Sequence, residues 1–248
     1  MQTMSAYAVA VGIGLCIAAY AELGGPGVDT LQVWSDTVME KVLPSAPVQS
    51  EPWTDLYGQH RARLHELDQR LGRLSTSGLD VDALARLLTA GTSSELERAY
   101  VIHRWVSSHI RYDQGGFLIR NFRNTSSPKV VLDRRAGVCD GIAGLVTALG
   151  QAAGLRIEKV LGEARGEHQR VVDRSLTRHA WNRVQIGQRW FLLDPTWDIA
   201  TQPGERTEVL RWFLVDPERM IRTHLPNSTR WQLLTPPVSR AAFHQTVR

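Results

Sequence analysis

Cysteine is scarce in this sequence: two of the 248 residues are cysteines, Cys16 and Cys139. A framework of internal disulfides is therefore excluded. A structural zinc site needs four Cys or His ligands at close spacing, and no such cluster is present. We therefore predict that the chain uses neither a metal nor another cofactor.

Clusters of basic residues are lacking as well. The 29 Lys and Arg residues outnumber the 25 Asp and Glu residues, but they are scattered along the chain. A nucleic-acid-binding surface needs Lys and Arg concentrated on one stripe, so we expect no nucleic-acid partner. With 43% hydrophobic and 22% charged residues, the composition is that of an ordinary globular protein.

An apolar stretch at the N-terminus is short for a membrane span. It runs from Ala6 to Ala21, whereas a span needs about 20 residues. Its last residues, Ala19-Tyr20-Ala21, fit a secretory cleavage site, although no Lys or Arg precedes the stretch. We interpret residues 1–21 as a signal peptide or membrane anchor. The expected protein is exported (periplasmic, cell-envelope or secreted) and can associate with a membrane or envelope through this segment; a buried N-terminal helix is the alternative.

Two helices are predicted ahead of the main domain. Gly and Pro clusters between Gly24 and Pro52 indicate a linker. Leucines then recur every three or four residues up to Leu74, which is the spacing of one helical face, and a second short helix is predicted from Val81 to Ala90. Residues 22–91 are thus interpreted as a linker and helical extension, followed by a main domain over residues 92–248.

The main domain begins with a capping box, Ser94-x-x-Glu97, which predicts a helix that runs to about His109. His103 lies on its apolar face, where a hydrogen-bonded core histidine is favoured over a ligand. A second helical pattern starts directly after Cys139, and strands are predicted near 157–162, 179–186 and 189–194. Helices followed by an antiparallel sheet indicate an α+β domain.

Cys139 is a candidate nucleophile. A thiol attacks a carbonyl carbon as the thiolate, so it needs a nearby base. In the first turn of a helix, the free backbone amides favour negative charge and can stabilise the oxyanion of a tetrahedral intermediate. On residue type alone, a small buried apolar residue is an equally good interpretation of Cys139.

The base is predicted from the pairing of two strands. Gly187-Gln188 is a pair of the kind that closes two-residue hairpins. In that register Asp194 lies directly opposite Trp181 on the neighbouring strand. His179 is two residues from Trp181, so its side chain lies on the same side of the sheet as that of Asp194. The two backbones are then about 7–8 Å apart along the diagonal, a separation that side chains can bridge. A carboxylate on one imidazole nitrogen leaves the other nitrogen to act as a base. We therefore predict that His179 is the base and that Asp194 orients it.

Several segments resemble the transglutaminase-like superfamily. The three core blocks, in the family's order Cys, His, Asp, are similar to residues 136–143 (AGVCDGIA), 179–182 (HAWN) and 194–198 (DPTWD). Residues 105–112 resemble the helix before these blocks, and residues 213–217 (FLVDP) with 224–226 (HLP) resemble a tail of the kyphoscoliosis-peptidase-like branch.

The resemblance implies a papain-like α+β fold in which Cys139 heads a helix and His179 and Asp194 lie on adjacent strands. It implies thiol-dependent acyl transfer on a protein or peptide substrate through a thioester, ending in cross-linking or in hydrolysis. A catalytically lapsed binding or scaffold module of the cell envelope is the alternative, because members of the superfamily lose activity. The calcium dependence of animal transglutaminases is not expected, since no carboxylate cluster resembles a calcium loop.

The surroundings of the thiol are less well specified by the sequence. Trp181 and Trp197 are predicted to wall the substrate cleft, with core packing as the alternative. The side chain that completes the oxyanion hole is left open among Asn124, Ser126 and Ser127.

Overall fold

The computed structural model describes residues 58–115, 127–165, 177–199 and 210–245. The predicted signal peptide or anchor over residues 1–21 lies outside the described residues, as do the linker predicted between Gly24 and Pro52 and the candidates Asn124 and Ser126. Within the described ranges no helix is both long enough and apolar enough to span a membrane.

The described part of the chain is a mixture of helices and strands. The helices are α1 (Arg61–Leu71), α2 (Val81–Thr89), α3 (Glu95–His109), α4 (Pro128–Arg134), α5 (Cys139–Ala152), α6 (Pro195–Asp198), α7 (Pro217–Met220) and α8 (Arg240–Gln245), with a 3-10 turn at Thr229–Gln232. The strands are β1 (Arg111–Tyr112), β2 (Ala136–Gly137), β3 (Ile157–Ala164), β4 (Thr177–Ile186), β5 (Arg189–Leu193) and β6 (His224–Pro226).

The main sheet has the strand order β5-β4-β3-β6, and every neighbouring pair in it is antiparallel. The predicted α+β class is therefore confirmed. The predicted hairpin is confirmed too, because β4 and β5 pair Ile186 with Arg189 across Gly187-Gln188. Gly187 has a φ of 61°, a left-handed conformation that glycine adopts without steric cost.

Helix α3 begins at the predicted capping box. The backbone amide of Glu97 donates to the Ser94 hydroxyl at 3.1 Å, and the Glu97 carboxylate accepts from the amide of Ser93 at 2.8 Å. His103 is fully buried and its Nε2 lies 2.7 Å from an Asp198 oxygen. It is a hydrogen-bonded core histidine, as the apolar face predicts.

One apolar core joins helices α1, α2, α3 and α5 to one face of the sheet. Leu64 and Leu84 belong to the same buried cluster as Ile142 of α5 and Val184 of β4. The helices predicted as an extension therefore pack directly on the main domain. Trp181 is three positions from Val184, hence on the other face of β4, where it packs in a second buried cluster with residues from β3, β5 and the C-terminal segment.

Gly162 allows the strands beside the site to approach closely. It pairs with His179 on one side and with Pro226 on the other. A Cβ at this position would collide with the Leu225 carbonyl oxygen and would lie 2.5 Å from the Trp181 ring. The missing side chain thus lets β6 and the Trp181 indole pack against the centre of the sheet.

Candidate active site

Cys139 is the first residue of helix α5, as predicted. The preceding residue, Val138, is extended, with φ −91° and ψ 173°, and its carbonyl accepts the first helical hydrogen bond from the amide of Ile142 at 2.9 Å. The cysteine is not disulfide-bonded and is half-buried. Its sulfur therefore stands beside the unpaired amides of a 14-residue helix, where the helix dipole favours negative charge.

His179 and Asp194 come together through the hairpin register. The last pair of the β4–β5 ladder is Asn182 with Leu193, so Asp194 follows directly after the ladder ends. Asp194 Oδ2 lies 2.6 Å from His179 Nε2. The structure therefore brings together the two side chains that strand pairing predicts to meet, at the short distance of a charge-assisted hydrogen bond.

Both oxygens of the Asp194 carboxylate are engaged. Oδ1 accepts from the backbone amides of Thr196 at 2.9 Å and Trp197 at 3.2 Å, and so caps helix α6. The amide of Asp194 itself donates to the carbonyl of Trp212 at 2.7 Å. The side chain is 0% exposed. Because Oδ1 caps the helix and Oδ2 meets the imidazole, the turn-capping and imidazole-orienting interpretations of this residue hold at once.

The tautomer of His179 follows from its carboxylate partner. A carboxylate oxygen can only accept, so Nε2 of His179 carries the hydrogen in this contact. Nδ1 is then the ring nitrogen left for another partner. The Cys139 thiol lies near enough to this ring to raise its pKa, so the structure brings the three residues predicted from sequence into one cluster.

The charges of these site residues favour an ion pair between His179 and Asp194. Burial by itself would lower the pKa of His179, but the Asp194 carboxylate, and then the Cys139 thiol, outweigh burial and raise that pKa to about 10. Burial would likewise raise the pKa of Asp194, yet His179, and then His224, hold it well below its ordinary value. Asp194 is therefore ionised at neutral pH and supports a protonated imidazole beside the sulfur.

His224 is a site residue that reasoning from sequence missed. Its Nε2 lies 3.0 Å from Asp194 Oδ2, the same oxygen that binds His179. The signal in the sequence was the segment 224–226, which resembles a family tail. Nothing local to that segment shows that its histidine reaches the carboxylate, because the contact depends on β6 pairing with β3.

Tyr112 is a second residue near the site that reasoning from sequence did not identify. Strand β1 pairs in parallel with β2, and this pairing sets Tyr112 opposite Gly137, two residues before Cys139. Burial, reinforced by the nearby Cys139 and Asp194, raises the pKa of the Tyr112 hydroxyl well above its usual range. The phenol therefore keeps its proton within electrostatic range of the thiol and remains a hydrogen-bond donor.

The two predicted substrate-binding tryptophans occupy different positions. Trp181 is 1% exposed and its ring stacks 6.0 Å from that of His179. It supports the imidazole from the core, which matches the core-packing alternative. Trp197 is half-buried, with its ring centre 5.7 Å from that of His179. Of this pair, Trp197 is the one with surface left to meet a substrate, and that role stays a prediction.

The remaining predictions concern metals and the oxyanion hole. Ligand atoms of His179, Asp194 and His224 lie within 4.8 Å of one another, close enough in principle to share a metal ion. Their approach is already accounted for by the two hydrogen bonds to Asp194 Oδ2, so the expectation of a metal-free site stays a prediction.

Ser127 is the candidate for the oxyanion hole that lies within the described residues. It is exposed and precedes helix α4, and its side chain makes no capping hydrogen bond to that helix.

Comparisons with known proteins agree with this geometry. Residues 82–195 match the family model of the transglutaminase-like superfamily. The kyphoscoliosis peptidase of Mus musculus is 32% identical over 161 residues, which cover 62% of this chain and 24% of the relative. That of Homo sapiens is 30% identical over 179 residues, covering 69% and 27%. The chain therefore spans about a quarter of the length of these curated relatives.

Solved structures give more distant similarities. The crystal structure of a TGase aligns with a TM-score of 0.38 and 16% identity, over 61% of this chain and 41% of that one. A candidate cysteine protease from Cytophaga hutchinsonii aligns with a TM-score of 0.37 and 22% identity, over 60% and 46%.

The family match covers the helix that begins at Cys139, the strand that carries His179 and the carboxylate of Asp194. Residues 82–195 of this chain therefore form a domain of the transglutaminase-like superfamily.

Proposed function

We propose that this domain catalyses thiol-dependent acyl transfer on a protein or peptide substrate, with Cys139 as nucleophile, His179 as general base and acid, and Asp194 as the group that orients the imidazole. The observation that carries the proposal is the position of the His179 ring, which donates from Nε2 to Asp194 and lies near enough to the thiol at the head of helix α5 for that thiol to raise its pKa. These are the relations that a thiol nucleophile requires.

The first half of the reaction forms a thioester. Nδ1 of His179 holds the proton that the Cys139 sulfur has given up, and the thiolate adds to the carbonyl carbon of a carboxamide or peptide. The amides at the start of helix α5 stabilise the oxyanion that develops. The C–N bond then breaks as the imidazolium donates its proton to the departing ammonia or amine, which leaves the acyl group on sulfur and His179 neutral.

The second half depends on what attacks the thioester. A primary amine gives a new amide bond and hence cross-linking, whereas water gives a carboxylic acid and hence deamidation or proteolysis. In both cases Nδ1 of His179 removes the proton from the attacking group and returns it to the departing sulfur. The exposed edge of Trp197 is where a substrate chain could lie and limit the access of water.

The test is incubation of the purified chain with a glutamine-bearing protein such as casein and a biotin-labelled primary amine. Biotin incorporation, released ammonia and new peptide N-termini are measured in parallel. Incorporation identifies a transferase, and ammonia or cleavage without incorporation identifies a hydrolase. Each signal should vanish in Cys139→Ala and fall by roughly a hundredfold or more in His179→Ala.

The second cysteine provides a matched control. Cys16→Ala removes a thiol that lies far from the domain in sequence, so it should leave every signal at the wild-type level. No product from the wild-type chain, together with thiol alkylation that rises only near the pH of an unassisted cysteine, about 8.5, would instead support the scaffold interpretation.

A further inference from the structure

A second buried histidine binds the carboxylate of the candidate site from another strand. His224 lies on the edge strand β6 and is 0% exposed. Its Nε2 approaches Asp194 Oδ2 at 3.0 Å, while His179 Nε2 approaches the same atom at 2.6 Å. Because that oxygen only accepts, both imidazoles donate an N–H to it.

The ring of His224 is held on every side that the structure describes. Its Nδ1 lies 2.8 Å from the Thr223 hydroxyl. Its ring centre lies 4.3 Å from that of Trp197, 5.1 Å from that of Trp181 and 5.2 Å from that of Trp212. Such a ring has one orientation available, so its N–H can serve as a rigid anchor for the carboxylate.

The carboxylate needs such an anchor at Oδ2. Backbone amides hold Oδ1, and rotation about the Cβ–Cγ bond would move both oxygens together. A donor at Oδ2 that is independent of His179 holds the carboxylate plane at a second point and so restricts this rotation further. The second hydrogen bond also supplies another donor to a buried negative charge, which lowers the cost of keeping it ionised.

We propose that His224 is a positioning residue: it anchors Oδ2 of Asp194 so that the carboxylate keeps Nδ1 of His179 directed at the Cys139 sulfur. This inference rests on the proposed function, because it concerns the same thiol and base. His224 touches neither the sulfur nor the substrate in this role and acts through Asp194 and His179.

The chain offers a matched control for the loss of a buried histidine. His103 is also fully buried and also bonds a carboxylate, at 2.7 Å from Asp198 Oδ2. Asp198 in turn accepts from the backbone amides of Arg211 and Trp212. His103→Leu therefore removes an equivalent buried hydrogen bond without removing a donor to Asp194.

The test measures the alkylation rate of Cys139 by iodoacetamide between pH 5 and pH 9 in a Cys16→Ala background. His224→Leu retains bulk but no donor, whereas His224→Gln retains an N–H near the place of Nε2. We expect His224→Leu to lower the rate near pH 6 by roughly tenfold or more, because a small misplacement of a catalytic group is costly, and to move the pH profile toward that of a free thiol. His224→Gln should recover most of the rate, and His103→Leu should lose stability but keep the wild-type profile.

A folded His224→Leu variant that reacts as fast as the wild type overturns the inference, as does a His103→Leu variant with an equal loss. If the leucine variant does not fold, Thr223→Val decides: removal of the hydroxyl on Nδ1 should slow alkylation, and an unchanged profile overturns the inference. Failure of the proposed function looks different, because the wild-type thiol would then react slowly near pH 6 and His179→Ala would change nothing.

Discussion

The side-chain amide of Asn182 donates a hydrogen bond of 3.0 Å to the carbonyl of Ala143, inside helix α5. It donates a second one, of 2.9 Å, to the Thr147 hydroxyl one turn later. Asn182 is fully buried and belongs to the strand that carries His179. This side chain therefore ties the strand of the candidate base to the helix that begins with the candidate nucleophile.

We predict that Asn182→Leu both destabilises the domain and slows the reaction of Cys139. The loss of buried hydrogen bonds should cost about 1–3 kcal/mol in the free energy of unfolding, measured by urea denaturation. The alkylation rate near pH 6 should fall because the helix and the strand are no longer fixed to each other. Thr147→Val removes one of the two acceptors, so it should have a smaller effect on both quantities. A destabilised Asn182→Leu variant with a wild-type alkylation rate would show that this link is structural only.

The free energy of unfolding should depend on pH in two directions. The pKa of His179 is raised from 6.5 to about 10, so its contribution is complete below about pH 6.5 and is lost as the pH rises toward 10. The pKa of Asp194 is depressed below 3.8, so its contribution is complete above about pH 4 and is lost in more acidic solution. Urea denaturation at a series of pH values should show the alkaline decline in the wild type and a flatter curve in His179→Ala.

Asp194→Asn should nearly abolish turnover. An amide nitrogen in place of Oδ2 cannot accept the N–H of His179, so the imidazole loses the tautomer that leaves Nδ1 basic. We expect the turnover number for amine incorporation or hydrolysis to fall by roughly a thousandfold or more. Circular dichroism supplies the folding control. A folded variant with turnover close to the wild type would remove Asp194 from the mechanism.

Tyr112→Phe should slow the reactions of Cys139 while leaving the fold intact. The phenol keeps its proton within electrostatic range of the thiol, because burial, Cys139 and Asp194 all raise its pKa. Loss of a donor to an anionic sulfur or oxyanion should lower the rate of acyl transfer by roughly tenfold or more. The measurement is the single-turnover rate of acylation by a p-nitrophenyl ester, compared between the variant and the wild type. Equal rates would mean that this hydroxyl only fills space.

Chelation should leave activity unchanged. The proposed chemistry needs a thiol, an imidazole and a carboxylate, and the sequence contains no calcium-loop pattern. We therefore predict equal turnover in EGTA, in EDTA and in added calcium. A rate that falls in EGTA and is restored by calcium would contradict this prediction.

Local signals in the sequence predicted the framework of the site. The Gly187-Gln188 turn sets the register of β4 and β5, and period-2 alternation then places His179 on the face that Asp194 reaches. The apolar pattern after Cys139 likewise predicted a helix with the thiol in its first turn. These predictions succeeded because each depends on neighbours within a few residues or on one short turn.

The sequence by itself therefore determined that Cys139 begins a helix, that β4 pairs with β5 and that His179 meets the Asp194 carboxylate. Only the tertiary structure decided that His224, Asn182 and Tyr112 join them, and that Trp181 supports the site from the core. Those contacts link elements far apart in the chain, such as β6 with β3 and β1 with β2. Close packing of a whole core selects such partners, and no local pattern of residues encodes that selection.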